Sequence, residues 1–273
     1  MINDTLRYGI AVPNWGLGRN PRVVAELARA AEVAGWDGYF TWDALVVRAS
    51  PPPTYDPFLS LALAAVATTR IRIATCVLVA PRYAPQLLAL RMANLDVLSG
   101  GRLIMGVGIG DKAATFEAFG APGSARVRAE QLDETLDIVT RLWTGERVVH
   151  AGKHFTVEGF TLNPTPVQRP RIPIWVGGDS PGALARAARW DGWIGPDDDP
   201  FTKTSADLAA VRTSIGGQRS PAASFDLAWA GPTGPDAGQR PQAMANAGAT
   251  WLITPATGDR DAMFRQAADG PQP

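Results

Sequence analysis

Hydrophobic runs of two kinds alternate along this chain. Leu6–Asn14 predicts a strand, and Pro21 opens a helix whose apolar positions Val24, Leu27, Ala28, Ala31 and Ala34 recur until Gly35. Gly38–Asp43 predicts a second strand, and Asp56-Pro57 starts a helix from Phe58 to Thr68. The β-branched run Ile71–Val79 is the third strand. A helix from Pro85 to Leu98 closes on Ser99-Gly100-Gly101, and Arg102–Gly110 is the fourth strand. The helix Ala125 to Trp143 is amphipathic: Leu132, Leu136, Val139 and Trp143 share one face, with Arg128, Asp133, Asp137 and Arg141 assigned to solvent.

His154–Val157 and Phe160–Leu162 then predict a short hairpin, followed by the proline-rich, patternless segment Asn163–Pro173. Alternation resumes with strand Ile172–Gly178, helix Ser180–Arg189, strand Gly192–Gly195 and helix Lys203–Ser214. Strand Phe225–Ala230, helix Gln239–Ala247, strand Thr250–Thr254 and helix Arg260–Ala268 finish the chain. The strands are apolar at successive positions, as expected of parallel strands covered on both faces. Eight strand–helix units point to one closed (β/α)8 barrel over residues 1–273, with the hairpin inserted between strands four and five. An open doubly wound sheet fits less well. No unit carries Gly-x-Gly-x-x-Gly with an acidic residue about twenty positions on.

Composition narrows the function. The formal net charge of zero and the lack of a basic stripe argue against nucleic acid or an anionic membrane as partner. Lys112, Lys153 and Lys203 are the only lysines, which disfavours Schiff-base chemistry. The single cysteine, Cys76, permits no internal disulfide and fits a reducing cytoplasm. The first residues carry no basic region followed by an apolar core, so no signal peptide is expected.

In barrels of this class the site lies at the carboxyl ends of the strands. Trp15, Trp42, Trp193 and Trp229 fall at four such ends and are expected to wall a pocket for a planar, neutral or aromatic substrate. The runs ending in Gly106-Val107-Gly108-Ile109-Gly110-Asp111 and Gly177-Gly178-Asp179-Ser180 place glycines where a helix is about to start. There the backbone can approach a ligand, and Gly177, Gly178 and Ser180 form the best anion site. Asp43 and Asp111 are carboxylates placed for proton transfer or for holding a cofactor ring, and turn or helix-capping roles suit them equally. His150 and His154 lie in the hairpin without metal-ligand company, so no metal is expected.

The runs Ile71–Pro85, Gly101–Asp111, Leu142-Trp143-Thr144-Gly145-Glu146 and Pro173–Trp193 resemble luciferase-like monooxygenases, most closely the branch that uses the deazaflavin coenzyme F420. The resemblance covers about residues 6–256. It implies a flavin-type ring, FMN or F420, across the strand ends, and cofactor contacts at Asp43, Cys76, Val77, Val79, Gly110, Asp111, Gly177, Gly178 and Ser180. It also implies a non-prolyl cis peptide at Cys76-Val77 and a homodimer. One departure stands out: the histidine that follows the strand-two aspartate in the family's sugar-phosphate dehydrogenases is Ala44 here. Proton transfer then falls to Asp111, water or the substrate, and a flavin-binding protein without turnover is the rival reading.

Overall fold

The computed structural model describes residues 6–45, 51–110, 112–195, 203–219, 224–231 and 240–271. The strands are β1 (Arg7–Val12), β2 (Gly38–Thr41), β3 (Arg72–Thr75), β4 (Leu78–Val79), β5 (Leu103–Gly108), β6 (Val148–Ala151), β7 (Thr156–Phe160), β8 (Ile174–Gly177), β9 (Gly192–Gly195), β10 (Asp226–Ala230) and β11 (Trp251–Pro255). The helices are α1 (Arg22–Val33), α2 (Pro57–Ala67), α3 (Pro85–Ser99), α4 (Ala113–Glu117), α5 (Ala125–Leu142), α6 (Pro181–Ala187), α7 (Ser205–Gly216), α8 (Arg240–Ala247) and α9 (Arg260–Asp269).

Nine strands pair in parallel in the order β3-β2-β1-β11-β10-β9-β8-β5-β4, and a β3–β5 pairing closes the ring. Because β3 and β4 are consecutive pieces of one stave, this is the expected eight-stave barrel. The hairpin between α5 and β8 is β6 paired antiparallel with β7. It begins earlier than the pattern suggested: His154 lies between its strands, and Val148–Ala151 is the first arm. Among the described residues no helix is long and apolar enough to cross a membrane.

Two apolar layers result from strand alternation. Ala11, Phe40, Ala74, Ile104, Trp175, Ile194, Ala228, Trp251 and Ile253 fill the lumen. Phe40, Trp175 and Trp251 pack together there, with ring centroids 5.6–6.1 Å apart. The neighbouring positions, such as Ile10, Ile73, Met105, Val176 and Leu227, point outward against the helices. At roughly 1.5–3 kcal/mol per fully buried large side chain, this outer layer contributes much of the hydrophobic stabilisation.

Helix starts follow local chemistry. Asp56 caps α2 by accepting the Phe58 N–H, Ser180 caps α6 through the Ala183 N–H, and Asp259 caps α9 through the Ala262 N–H. On α5 the expected solvent face needs correction. Arg128 is buried, and Asp133 accepts hydrogen bonds from both Arg186 and Arg189. A guanidinium can be buried where backbone carbonyls take up its donors, and amphipathic spacing does not reveal those carbonyls.

Candidate active site

Stave three breaks as it nears the rim. A cis peptide joins Cys76 to Val77, and both residues pack against the lumen cluster, where regular alternation would turn only one inward. Val77 and the Thr75 carbonyl press on the neighbouring stave β5, and Val77 reaches β8 beyond it. A Cβ at Gly106 would lie 2.1 Å from the Thr75 oxygen, at Gly108 2.9 Å from Val77 Cγ2, and at Gly177 3.0 Å from Val77 Cγ1. A Cβ at Gly110, whose φ is +74°, would meet Val79 Cγ1 at 2.7 Å. These glycines therefore admit the chain's own stave-three bulge. At Gly106, Gly108 and Gly177 this is a second reason for glycine, beside the ligand approach inferred from sequence.

Asp43 fastens the bulge from the side. Its carboxylate accepts the Val79 N–H at 2.8 Å and the Tyr83 O–H at 3.0 Å, and pairs with Arg82 at 3.5 Å. Arg82 also donates to the Asp43 carbonyl at 2.8 Å. Burial pushes the Asp43 carboxyl up, against the opposing pull of the Val79 N–H, Arg82 and Tyr83. Burial and the neighbouring carboxylate also push Tyr83 up. At the next position Asn14 holds Ala44 in both directions, accepting its N–H and donating to its carbonyl, each at 3.1 Å.

The end of β5 is pinned from outside. Arg128 Nε donates to the Ile109 carbonyl at 3.0 Å and Nη2 to the Gly110 carbonyl at 3.2 Å, while Nη1 reaches the Gly123 carbonyl. Its guanidinium lies 4.4 Å from the Phe116 ring centroid, and the Arg82 guanidinium lies 5.5 Å from the same centroid. Phe116 thus sits between the groups that hold Asp43 and Gly110. Asp111 lies outside the described residues.

After β8 the chain turns through Gly178, whose φ is +109°, a conformation that favours glycine. Ser180 then accepts the Ala183 N–H at 3.2 Å, and Lys203 pairs with the Asp179 carboxylate. The four tryptophans divide. Trp15 and Trp42 meet edge to face at the rim, with centroids 5.0 Å apart, and Trp42 packs on the lumen cluster. Trp193 and Trp229 are buried in the outer layer beneath the helices, which corrects their expected place in a substrate pocket. On β9 and β10 their neighbours Ile194 and Ala228 take the inward positions.

The sequence reading gave Arg82, Tyr83 and Asn14 no role and put Arg128 on the solvent face. Arg82 and Tyr83 do lie inside the run Ile71–Pro85 that carries the family resemblance. A cavity of about 450 Å³ lies apart from these residues, between Leu17–Val23 and the start of α9.

A sequence profile of luciferase-like monooxygenases matches residues 8–267. The chain belongs to this family. It is similar to an uncharacterized protein of Mycobacterium tuberculosis, 33% identical over 210 residues that span 70% of this chain and 71% of that one. It is also 31% identical over 221 residues to an F420-dependent glucose-6-phosphate dehydrogenase of Nakamurella multipartita, covering 79% of this chain but 63% of that enzyme. Among solved structures, an F420-dependent secondary alcohol dehydrogenase in complex with an F420–acetone adduct superposes with a TM-score of 0.78. The superposition covers 96% of this chain and 98% of that one at 15% identity, a likeness of fold.

Proposed function

We propose that this family member is a flavin- or deazaflavin-dependent oxidoreductase that uses coenzyme F420 or FMN on a neutral or aromatic small organic substrate. The observation that carries the reading is the rim itself. Ala230 and Cys76 are small where they meet the lumen, Val77, seated over Gly108 and Gly177, supplies an apolar floor, and Trp15 and Trp42 meet edge to face as an aromatic wall. That is a place for a planar ring. Bound there, the reduced ring would supply hydride to an organic acceptor or, as a flavin, activate oxygen.

The chain's own groups divide the remaining work. Asp43 holds Val79 and thereby the bulge formed by Cys76 and Val77 under the ring. Gly110, Gly177, Gly178 and Ser180 line the cofactor, with the last three toward its phosphate. Trp15 and Trp42 orient the substrate by stacking, and Asp111 carries the proton. The scarcity of lysines and the alanine at position 44 argue against a sugar-phosphate substrate. Ala44 also favours the rival reading, a cofactor-binding protein without turnover.

Titration of the purified protein with FMN and, separately, with F420 tests the proposal through ring fluorescence. Binding of either supports it, and binding of neither sinks it. Reduced cofactor that is bound but never reoxidised by any conjugated acceptor or by oxygen would favour the rival.

The partner supported best is a second copy of this chain. Helices α2 and α3 pack side by side and present Leu59, Val66, Leu87, Val97 and Leu98, each 44–65% exposed, on their outer faces. Several half-exposed large apolar side chains on one pair of packed helices suit burial against a second copy. The lone cysteine supports a cytoplasmic setting.

A further inference from the structure

Trp193 has a specific partner in its buried position. Its indole Nε1–H donates to the Gly178 carbonyl at 2.9 Å, and the ring has no solvent exposure. A Cβ at Gly195 would lie 2.4 Å from Trp193 Cζ2, so the indole fits only because that position is glycine. The bond runs from the helix-side wall of β9 to the turn that follows β8. The peptide between Gly178 and Asp179 is planar and trans, so its N–H points opposite to its carbonyl. With the carbonyl drawn toward the helix layer by Trp193, the Asp179 N–H is turned away from that layer.

We propose that Trp193 is a positioning residue that aims the Gly178–Asp179 peptide at the phosphate of the cofactor and so sets the preference for a phosphorylated ligand. This rests on the reading that Gly177, Gly178 and Ser180 receive that phosphate. Two neighbours suit the role. Lys203 pairs with the Asp179 carboxylate and offsets a negative charge beside the anion. Ser180 Oγ accepts from Ala183, which leaves its O–H as a donor.

The test is Trp193→Phe, which keeps an aromatic ring and deletes the donor. Affinity is measured for two pairs, FMN against riboflavin and F420 against its phosphate-free deazaflavin chromophore. The phosphorylated member of the pair that binds should weaken by about fivefold, the loss expected for one net hydrogen bond. Its phosphate-free counterpart should bind as in the wild type. Equal losses for both members, or none for either, overturn the proposal, because a general packing defect does not distinguish phosphate.

Ser180→Ala, run in parallel, separates the two levels. If Ser180→Ala lowers the phosphate preference and Trp193→Phe does not, Trp193 has no positioning role and the loop assignment stands. A wild-type protein that binds both members of a pair equally removes the loop assignment itself. Should Trp193→Phe fail to fold, Gly195→Ala displaces the indole while keeping its donor, and the same selective loss is expected of it.

Discussion

Gly106→Ala is the sharpest test of why the barrel rim is built from glycine. The added Cβ would stand 2.1 Å from the Thr75 carbonyl oxygen and 3.2 Å from its carbon. The obstacle is backbone, and it is pinned: Thr75 Oγ1 donates to the Gly106 carbonyl at 2.6 Å, and the Cys76 N–H donates to Thr41 at 2.8 Å. Relief therefore needs two paired strands to separate by roughly 1 Å. That places the cost at the upper end of overpacking, about 3 kcal/mol or more. For a chain of this size the melting temperature should fall by roughly 6–12 °C.

Urea unfolding at fixed pH reads the same loss as a lower midpoint with an unchanged slope. Gly182→Ala in α6 is the control. Nothing lies within 4 Å of its Cβ, and alanine there should be neutral or stabilising by up to about 1 kcal/mol. A Gly106→Ala protein within about 0.5 kcal/mol of wild type would refute the claim that these glycines make room for stave three.

Three other outcomes are expected. Arg128→Met should destabilise by about 3 kcal/mol, because the Ile109, Gly110 and Gly123 carbonyls lose a buried donor, and Arg128→Lys should recover only part since lysine lacks the fork; full recovery in denaturant melts would contradict this. Glu32 accepts the N–H groups of Thr69, Arg70 and Ile71, and although burial works to raise its carboxyl these bonds outweigh it and hold it low. A depressed carboxyl contributes stability above its unfolded value that is lost as pH falls through its folded one. Glu32→Gln should thus cost about 1–2 kcal/mol at neutral pH and progressively less as pH falls below the ordinary glutamate range, and a gap that stays constant with pH would count against it. Val66→Lys on α2 should convert a dimer to monomer in light scattering without loss of the fold, whereas a wild-type monomer would end the dimer proposal.

Much of the barrel was legible from residue order. Strand and helix periods, proline and glycine punctuation, and the count of eight units all report local backbone preference, which a linear pattern records. The resemblance also pointed to the cis bond at Cys76-Val77, because the run Ile71–Pro85 carries it. The direction of side chains was harder to read. Strands covered on both faces are apolar at every position, so Trp193 and Trp229 look no different from residues that face the lumen. Only closure of the ring put them in the outer layer, beside Ile194 and Ala228 facing in.

The same holds for Gly106, Gly108 and Gly177, whose second reason for being glycine shows only once stave three is seen pressing on them. Arg128 reads as a solvent-facing charge until the Ile109 and Gly110 carbonyls at the end of β5 and the Gly123 carbonyl just before α5 are seen to converge on it. Residue order alone was enough for the eight strand–helix units and their succession, since those depend on neighbours along the chain, but not for the break in stave three, for α4 or for the first arm of the hairpin. Tertiary packing settled which glycines make room, which tryptophans face inward and which arginine is buried, because each depends on groups that meet only when strands, helices and loops pack.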